Sequence, residues 1–137
     1  MARLLAIDYG AKRCGIAVTD ESQIVATGLT TVGTKELMSW LKNYWIKEEV
    51  ELLVIGEPKR LHGEASDIES AIQEFIQQLQ KEIEDISIVR VDERFTSKMA
   101  FEAMIQSGIS KKKRRNKALI DEMSAAIILQ DYLYNQK

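Results

Sequence analysis

The sequence predicts a single α/β domain: one mixed five-stranded sheet with helices on both faces. Three observations carry that expectation. Three strand signals come first with no helix between them, which implies an antiparallel meander. Two later apolar strands each follow an amphipathic helix, which implies parallel crossovers. A strongly apolar helix then closes the chain. At 137 residues, the chain 1–137 fits one domain with its own hydrophobic core.

Residues 3–8, 13–19 and 24–31 read as the first three strands. A tight Gly-containing turn joins the first pair, and the polar Asp20-Glu21-Ser22 link precedes the third. Thr34 is expected to cap a helix through about residue 48, since Leu37, Leu41, Tyr44 and Trp45 recur at helical spacing. Leu52-Leu53-Val54-Ile55-Gly56 is a continuous apolar run, as in a central strand covered on both faces. Pro58 ends it, and residues 59–65 form a polar loop. The next helix spans 66–82, with Ile68, Ile72, Phe75, Ile76 and Leu79 on one stripe. Residues 86–92 alternate like a strand. A short helix from Ser97 to Ser107 ends at Gly108, a natural residue to follow a helix. The last helix spans 117–134 and, apolar almost all round at Ala125–Leu129, is expected to be largely buried. The order β-β-β-α-β-α-β-α-α is the plan of the ribonuclease H-like fold, in which acids from strand tips and a C-terminal helix gather around metal ions.

Hydrophobic residues at 45% and charged residues at 29% describe an ordinary soluble globule. The longest apolar run, Ala125 to Leu129, is far too short for a membrane span. The chain enters a strand within three residues, so no targeting segment is expected. The single cysteine, Cys14, rules out an intramolecular disulfide and a multi-cysteine zinc site, and fits a reducing cytoplasm. Its place inside a strand suggests a small core residue. The net charge of −2 conceals a local asymmetry. Lys111-Lys112-Lys113-Arg114-Arg115-Asn116-Lys117 is a cationic block with no acid, and points to a polyanion such as nucleic acid.

The most informative segment is Leu4-Leu5-Ala6-Ile7-Asp8-Tyr9-Gly10. A carboxylate ends an apolar strand, held by rigid backbone at the mouth of the sheet, and Gly10 lets a phosphate or metal approach where a Cβ would obstruct. A turn-forming Asp before a hairpin Gly is the alternative.

The stretch Asp8-Tyr9-Gly10-Ala11-Lys12-Arg13-Cys14-Gly15-Ile16-Ala17-Val18-Thr19-Asp20 resembles the opening motif of the YqgF/RuvX family of Holliday-junction-resolvase-like nucleases. Val91-Asp92-Glu93-Arg94-Phe95-Thr96-Ser97 resembles its second motif. Lys117 with the stretch from Ile120 to Leu133 resembles its C-terminal helix, and Ile55-Gly56-Glu57-Pro58 with Gly63 its central strand and loop. The resemblance spans nearly the whole chain in the family's order. It implies a cytoplasmic metal-dependent nuclease that matures the 5′ end of precursor 16S rRNA in ribosome biogenesis. A Holliday junction resolvase acting on branched DNA and a non-catalytic nucleic-acid-binding module are the alternatives. By position, the resemblance places the catalytic, metal-binding acids at Asp8, Glu93 and Asp121.

Phosphodiester hydrolysis requires an activated water and a stabilised leaving oxygen. Two Mg²⁺ or Mn²⁺ ions about 4 Å apart supply both and prefer oxygen ligands. Strand alternation puts Glu93 with Val89 and Val91, and Asp92 with Arg90. Periodicity alone does not separate Asp121 from Glu122; the resemblance selects Asp121. Glu57, where the family commonly has Leu, either joins the metal site or bonds nearby backbone. Lys12, Arg13, Arg94, Lys111, Lys112, Lys113, Arg114, Arg115 and Lys117 are the candidate nucleic-acid contacts, with Lys59 and Arg60 extending the track. Tyr9 either stacks on a base or packs in the core. A monomer and a homodimer both fit, and two symmetric sites would suit a junction.

Overall fold

A computed structural model describes residues 2–57, 67–92 and 117–135. Five strands form one sheet: β1 (Arg3–Asp8), β2 (Arg13–Thr19), β3 (Ala26–Gly33), β4 (Val50–Glu57) and β5 (Ile88–Asp92). Their spatial order is β3-β2-β1-β4-β5. β2 pairs antiparallel with both β1 and β3, while β4 pairs parallel with both β1 and β5. The expected mixed sheet, meander first and crossovers after, is the observed one. Among the described residues, three α-helices accompany it: α1 (Leu37–Lys47), α2 (Asp67–Glu82) and α3 (Lys117–Asn135). The expected helix over 97–107, the polar loop 59–65 and the cationic block before Lys117 lie outside the described residues.

Alternation along the central strands sorts the core onto two faces. Leu5, Ile7, Leu53 and Ile55 meet Leu41 of α1 and Ile72 and Leu79 of α2. Leu4, Ala6, Ala17 and Val54 meet Ala125, Ile128 and Leu129 of α3. Each fully buried Leu or Ile contributes on the order of 2 kcal/mol by leaving water. The second face is the shallower one, because it carries Ala6, Gly15 and Ala17 where the first carries Leu, Cys and Ile. A helix can therefore lie close against it. α3 buries Ser124, Ala125, Ile128 and Leu129, with Ala126 and Ile127 partly exposed. The helix is largely buried, as expected: between residues 120 and 134 only Asp131 and Tyr134 are exposed, and the fully buried positions form one stripe against the sheet.

Two boundaries differ for identifiable reasons. β3 starts at Ala26 rather than 24, since the Asp20 carboxylate accepts the amides of Ile24 (2.9 Å) and Val25 (3.0 Å) and holds them in the turn. Gln23, at φ 58°, completes that turn. Thr34 does not cap α1 through its side chain. Gly33 precedes a 3-10 turn over Thr34–Glu36, and α1 begins at Leu37. Thr34 is committed elsewhere, as described below. Among the described residues, no helix is long and apolar enough to cross a membrane.

Candidate active site

β1 ends at Asp8, and antiparallel register sets Asp8 opposite Gly15 of β2. Asp8 shares its strand parity with Leu4 and Ala6, so it belongs to the face covered by α3. Gly15 is where that helix comes in. A Cβ built on Gly15 would stand 2.0 Å from the Asp121 carbonyl oxygen and 2.9 Å from the Glu122 nitrogen. Only the absence of a side chain permits this approach. Asp8 and Asp121, 113 residues apart in sequence, thus flank the same glycine.

Between β1 and β2 the chain turns through Tyr9, Gly10, Ala11 and Lys12. A Cβ on Gly10 would lie 2.4 Å from the Arg13 carbonyl oxygen, so the turn closes this tightly only with glycine. Thr34 fastens the turn from the other side. Its hydroxyl donates to the Gly10 carbonyl at 2.7 Å, and its amide donates to the Lys12 carbonyl at 3.0 Å. The buried Cys14 thiol lies against the same Gly10 carbonyl and the Thr34 hydroxyl. Burial first, then the negative charges of Asp8 and Asp121, push that thiol up from its ordinary value. Cys14 is therefore a neutral core residue, as its position in the strand suggested.

Arg13 Nε donates to Asp121 Oδ2 at 2.5 Å, a charge-assisted bond with 38% of the Arg13 side chain exposed. Gly10, Ala11, Lys12, Arg13 and Asp121 line an open cleft of about 360 Å³. One wall offers a carboxylate and the other two cations. Glu122 stands beside Asp121 but against β3, its Cβ 3.1 Å from where one on Gly28 would be. Partial burial, then the charge of Asp121, raise its carboxyl above the usual range. Periodicity could not separate these two acids; packing places Asp121 on the strand that pairs with Asp8, and Glu122 one strand further out.

The remaining candidates divide. Glu57 and Asp92 are register partners at the ends of β4 and β5. Their parity matches Ile55 and Arg90, whose guanidinium reaches Glu69 on α2, so both acids fall on the face opposite Asp8. Val91 packs on the α3 face. Glu93, Arg94 and Lys111, Lys112, Lys113, Arg114 and Arg115 lie outside the described residues, as does the side chain of Lys117. Tyr9 packs in the core, 5.4 Å from the Phe75 ring.

Sequence reasoning missed one contributor to the turn and one buried hydroxyl on α3. Thr34 looked like a helix cap, and only the fold brings residues 10 and 34 together. Ser124, one turn beyond Asp121, buries a hydroxyl with no hydrogen-bond partner among the described residues.

The donor chemistry suits a hard divalent cation: Asp8 and Asp121 supply carboxylate oxygens on either side of Gly15, whose missing side chain lets α3 come in. Among the described residues, no three His, Cys, Asp or Glu side chains form such a cluster. Two acids are what these segments supply.

Comparison with known proteins places this arrangement in context. The family described as RuvX, Holliday junction resolvase, matches residues 2–135. A protein of Flavobacterium johnsoniae is 56% identical over 137 residues, covering 100% of this chain and 99% of its own. One of Phocaeicola vulgatus is 52% identical, again over 100% and 99%. One of Porphyromonas gingivalis is 50% identical over 98% of each. All three carry the name "Putative pre-16S rRNA nuclease". Matched by the family from residue 2 to 135 and by these relatives along nearly the whole of both chains, this protein belongs to the RuvX family.

Proposed function

We propose that this protein is a metal-dependent nuclease, a hydrolase of phosphodiester bonds that processes the 5′ end of precursor 16S rRNA in the cytoplasm. The observation that carries the reading is the meeting of β1 and α3 at Gly15, which sets Asp8 and Asp121 on one face beside a cationic turn. The names of full-length relatives support the choice of RNA.

Asp8, Asp121 and Glu93 would hold Mg²⁺ or Mn²⁺, with Glu93 following Val91 by two residues. The bound ions would activate water and stabilise the leaving oxygen. The chain's own part is positional. Strand β1 fixes Asp8, α3 fixes Asp121, and the turn held by Thr34 presents Lys12 and Arg13 to phosphate. The cationic block that precedes α3 in sequence would add further phosphate contacts. Glu57 stands aside from this set because its register puts it on the other face. Branched DNA is the second substrate to test, since the family description names a junction resolvase.

Asp8→Asn is expected to abolish cleavage of precursor 16S rRNA in Mg²⁺ or Mn²⁺ while leaving RNA binding largely intact. Retained turnover would refute the assignment. A four-way DNA junction assayed in parallel decides the substrate. Neutralising Lys112, Lys113 and Arg114 should lower the log–log salt slope of RNA affinity by about two to three.

A further inference from the structure

We propose that Arg13 is an exchangeable occupant of Asp121: it pairs with that carboxylate in the metal-free protein and turns to substrate phosphate once a divalent cation takes its place. This rests on the reading of Asp121 as a metal ligand.

Four observations support the exchange. The contact is a single one, Nε to Oδ2, and the two terminal guanidinium nitrogens make no bond among the described residues. The side chain is 38% exposed and borders the cleft shared with Lys12, so it can swing without disturbing the core. The backbone beneath it is fixed by Thr34 and by the pairing of Arg13 with Gly33, so only side-chain torsions need change. Finally, the pair stands next to Asp8 by register, where a cation shared by both acids would bring positive charge against the guanidinium. Asp121 would exchange the monovalent guanidinium for a divalent ion that its oxygens could coordinate directly, and Arg13 would then carry its charge into the cleft. Metal loading and phosphate binding are thereby coupled in order: the cation first, the substrate second.

The test uses the full chain in two measurements. In EDTA, binding of a fluorescent RNA hairpin is followed by anisotropy across a double-mutant cycle of Arg13→Gln and Asp121→Asn. Asp121→Asn is expected to tighten binding about fivefold more when Arg13 is present than in the Arg13→Gln background, the size expected of a partly exposed ion pair. Arg13→Lys should restore most of that coupling. Equal effects in both backgrounds overturn the exchange. Separately, free Mn²⁺ is followed by electron paramagnetic resonance. Arg13→Gln should raise Mn²⁺ affinity about fivefold, and Lys12→Gln, which removes a cation that does not touch Asp121, clearly less. Equal shifts in the two variants, or none, overturn the exchange and leave the metal reading standing. Absence of Mn²⁺ binding in every variant sinks the metal reading and the exchange with it. Circular dichroism melts confirm that each variant is folded.

Discussion

Arg90 and Arg13 each reach from a strand to an acid on a helix, yet the two pairs are built differently. Arg90 grips Glu69 with two parallel bonds of 2.9 and 2.7 Å and donates further to the carbonyls of Ile55 (3.3 Å) and Gly56 (2.9 Å). Its side chain is 19% exposed and that of Glu69 13%. Arg13 makes one bond to an acid that is 24% exposed, at the rim of a cleft. The first guanidinium makes four hydrogen bonds and is shielded, and ties α2 to the end of β4. The second keeps donors and solvent access in reserve. Burial and donor count, more than the presence of an ion pair, separate a fastening from a contact that can be traded.

That contrast can be broken most forcefully at Arg90. Arg90→Met should destabilise the fold by about 3 kcal/mol in urea unfolding, because it takes the countercharge and both of its bonds from a largely buried Glu69 carboxylate and leaves the neutral Gln73 amide in their place. A loss below about 1 kcal/mol would place the pair with surface bridges. Gly15→Ala comes next, at about 2 kcal/mol, since the new methyl meets helix backbone that cannot rotate away. It should also weaken Mn²⁺ binding, because α3 must shift to accept it. Arg13→Gln should cost under about 1 kcal/mol in the same titration. The smallest effect belongs to Glu122→Gln. Its folded carboxyl is raised above 4.5, so the wild-type side chain favours folding fully below the unfolded value and loses that contribution as pH rises through the folded one. Glu122→Gln should therefore raise the melting temperature at neutral pH, with the gain fading toward pH 4; a gain independent of pH would contradict that sign.

Much of this architecture was legible in the residues. Continuous apolar runs at 4–7 and 52–56 announced central strands, and Leu37, Leu41, Ile72 and Leu79 announced helix faces, because burial imposes periodicity directly. Asp8 stood out since an acid that ends an apolar strand breaks that pattern. Asp121 did not, because a helix carries two adjacent acids with equally apolar rows behind them. The choice between them lies in Gly15 and Gly28, on strands remote in sequence. Alternation put Arg90 on one face with Asp92 but could not name its partner, because Glu69 lies in another element. Thr34 was misread because Ser and Thr serve helix starts and loop carbonyls with the same hydroxyl.

The tether from Thr34 has a mechanical consequence. The turn after Asp8 hangs by two bonds from the segment leading into α1, which packs on the sheet face away from Asp121. Whatever disturbs that far layer, a loosened helix or a trimmed methyl, is transmitted through the threonine to the spot where the cleft's cations are aimed.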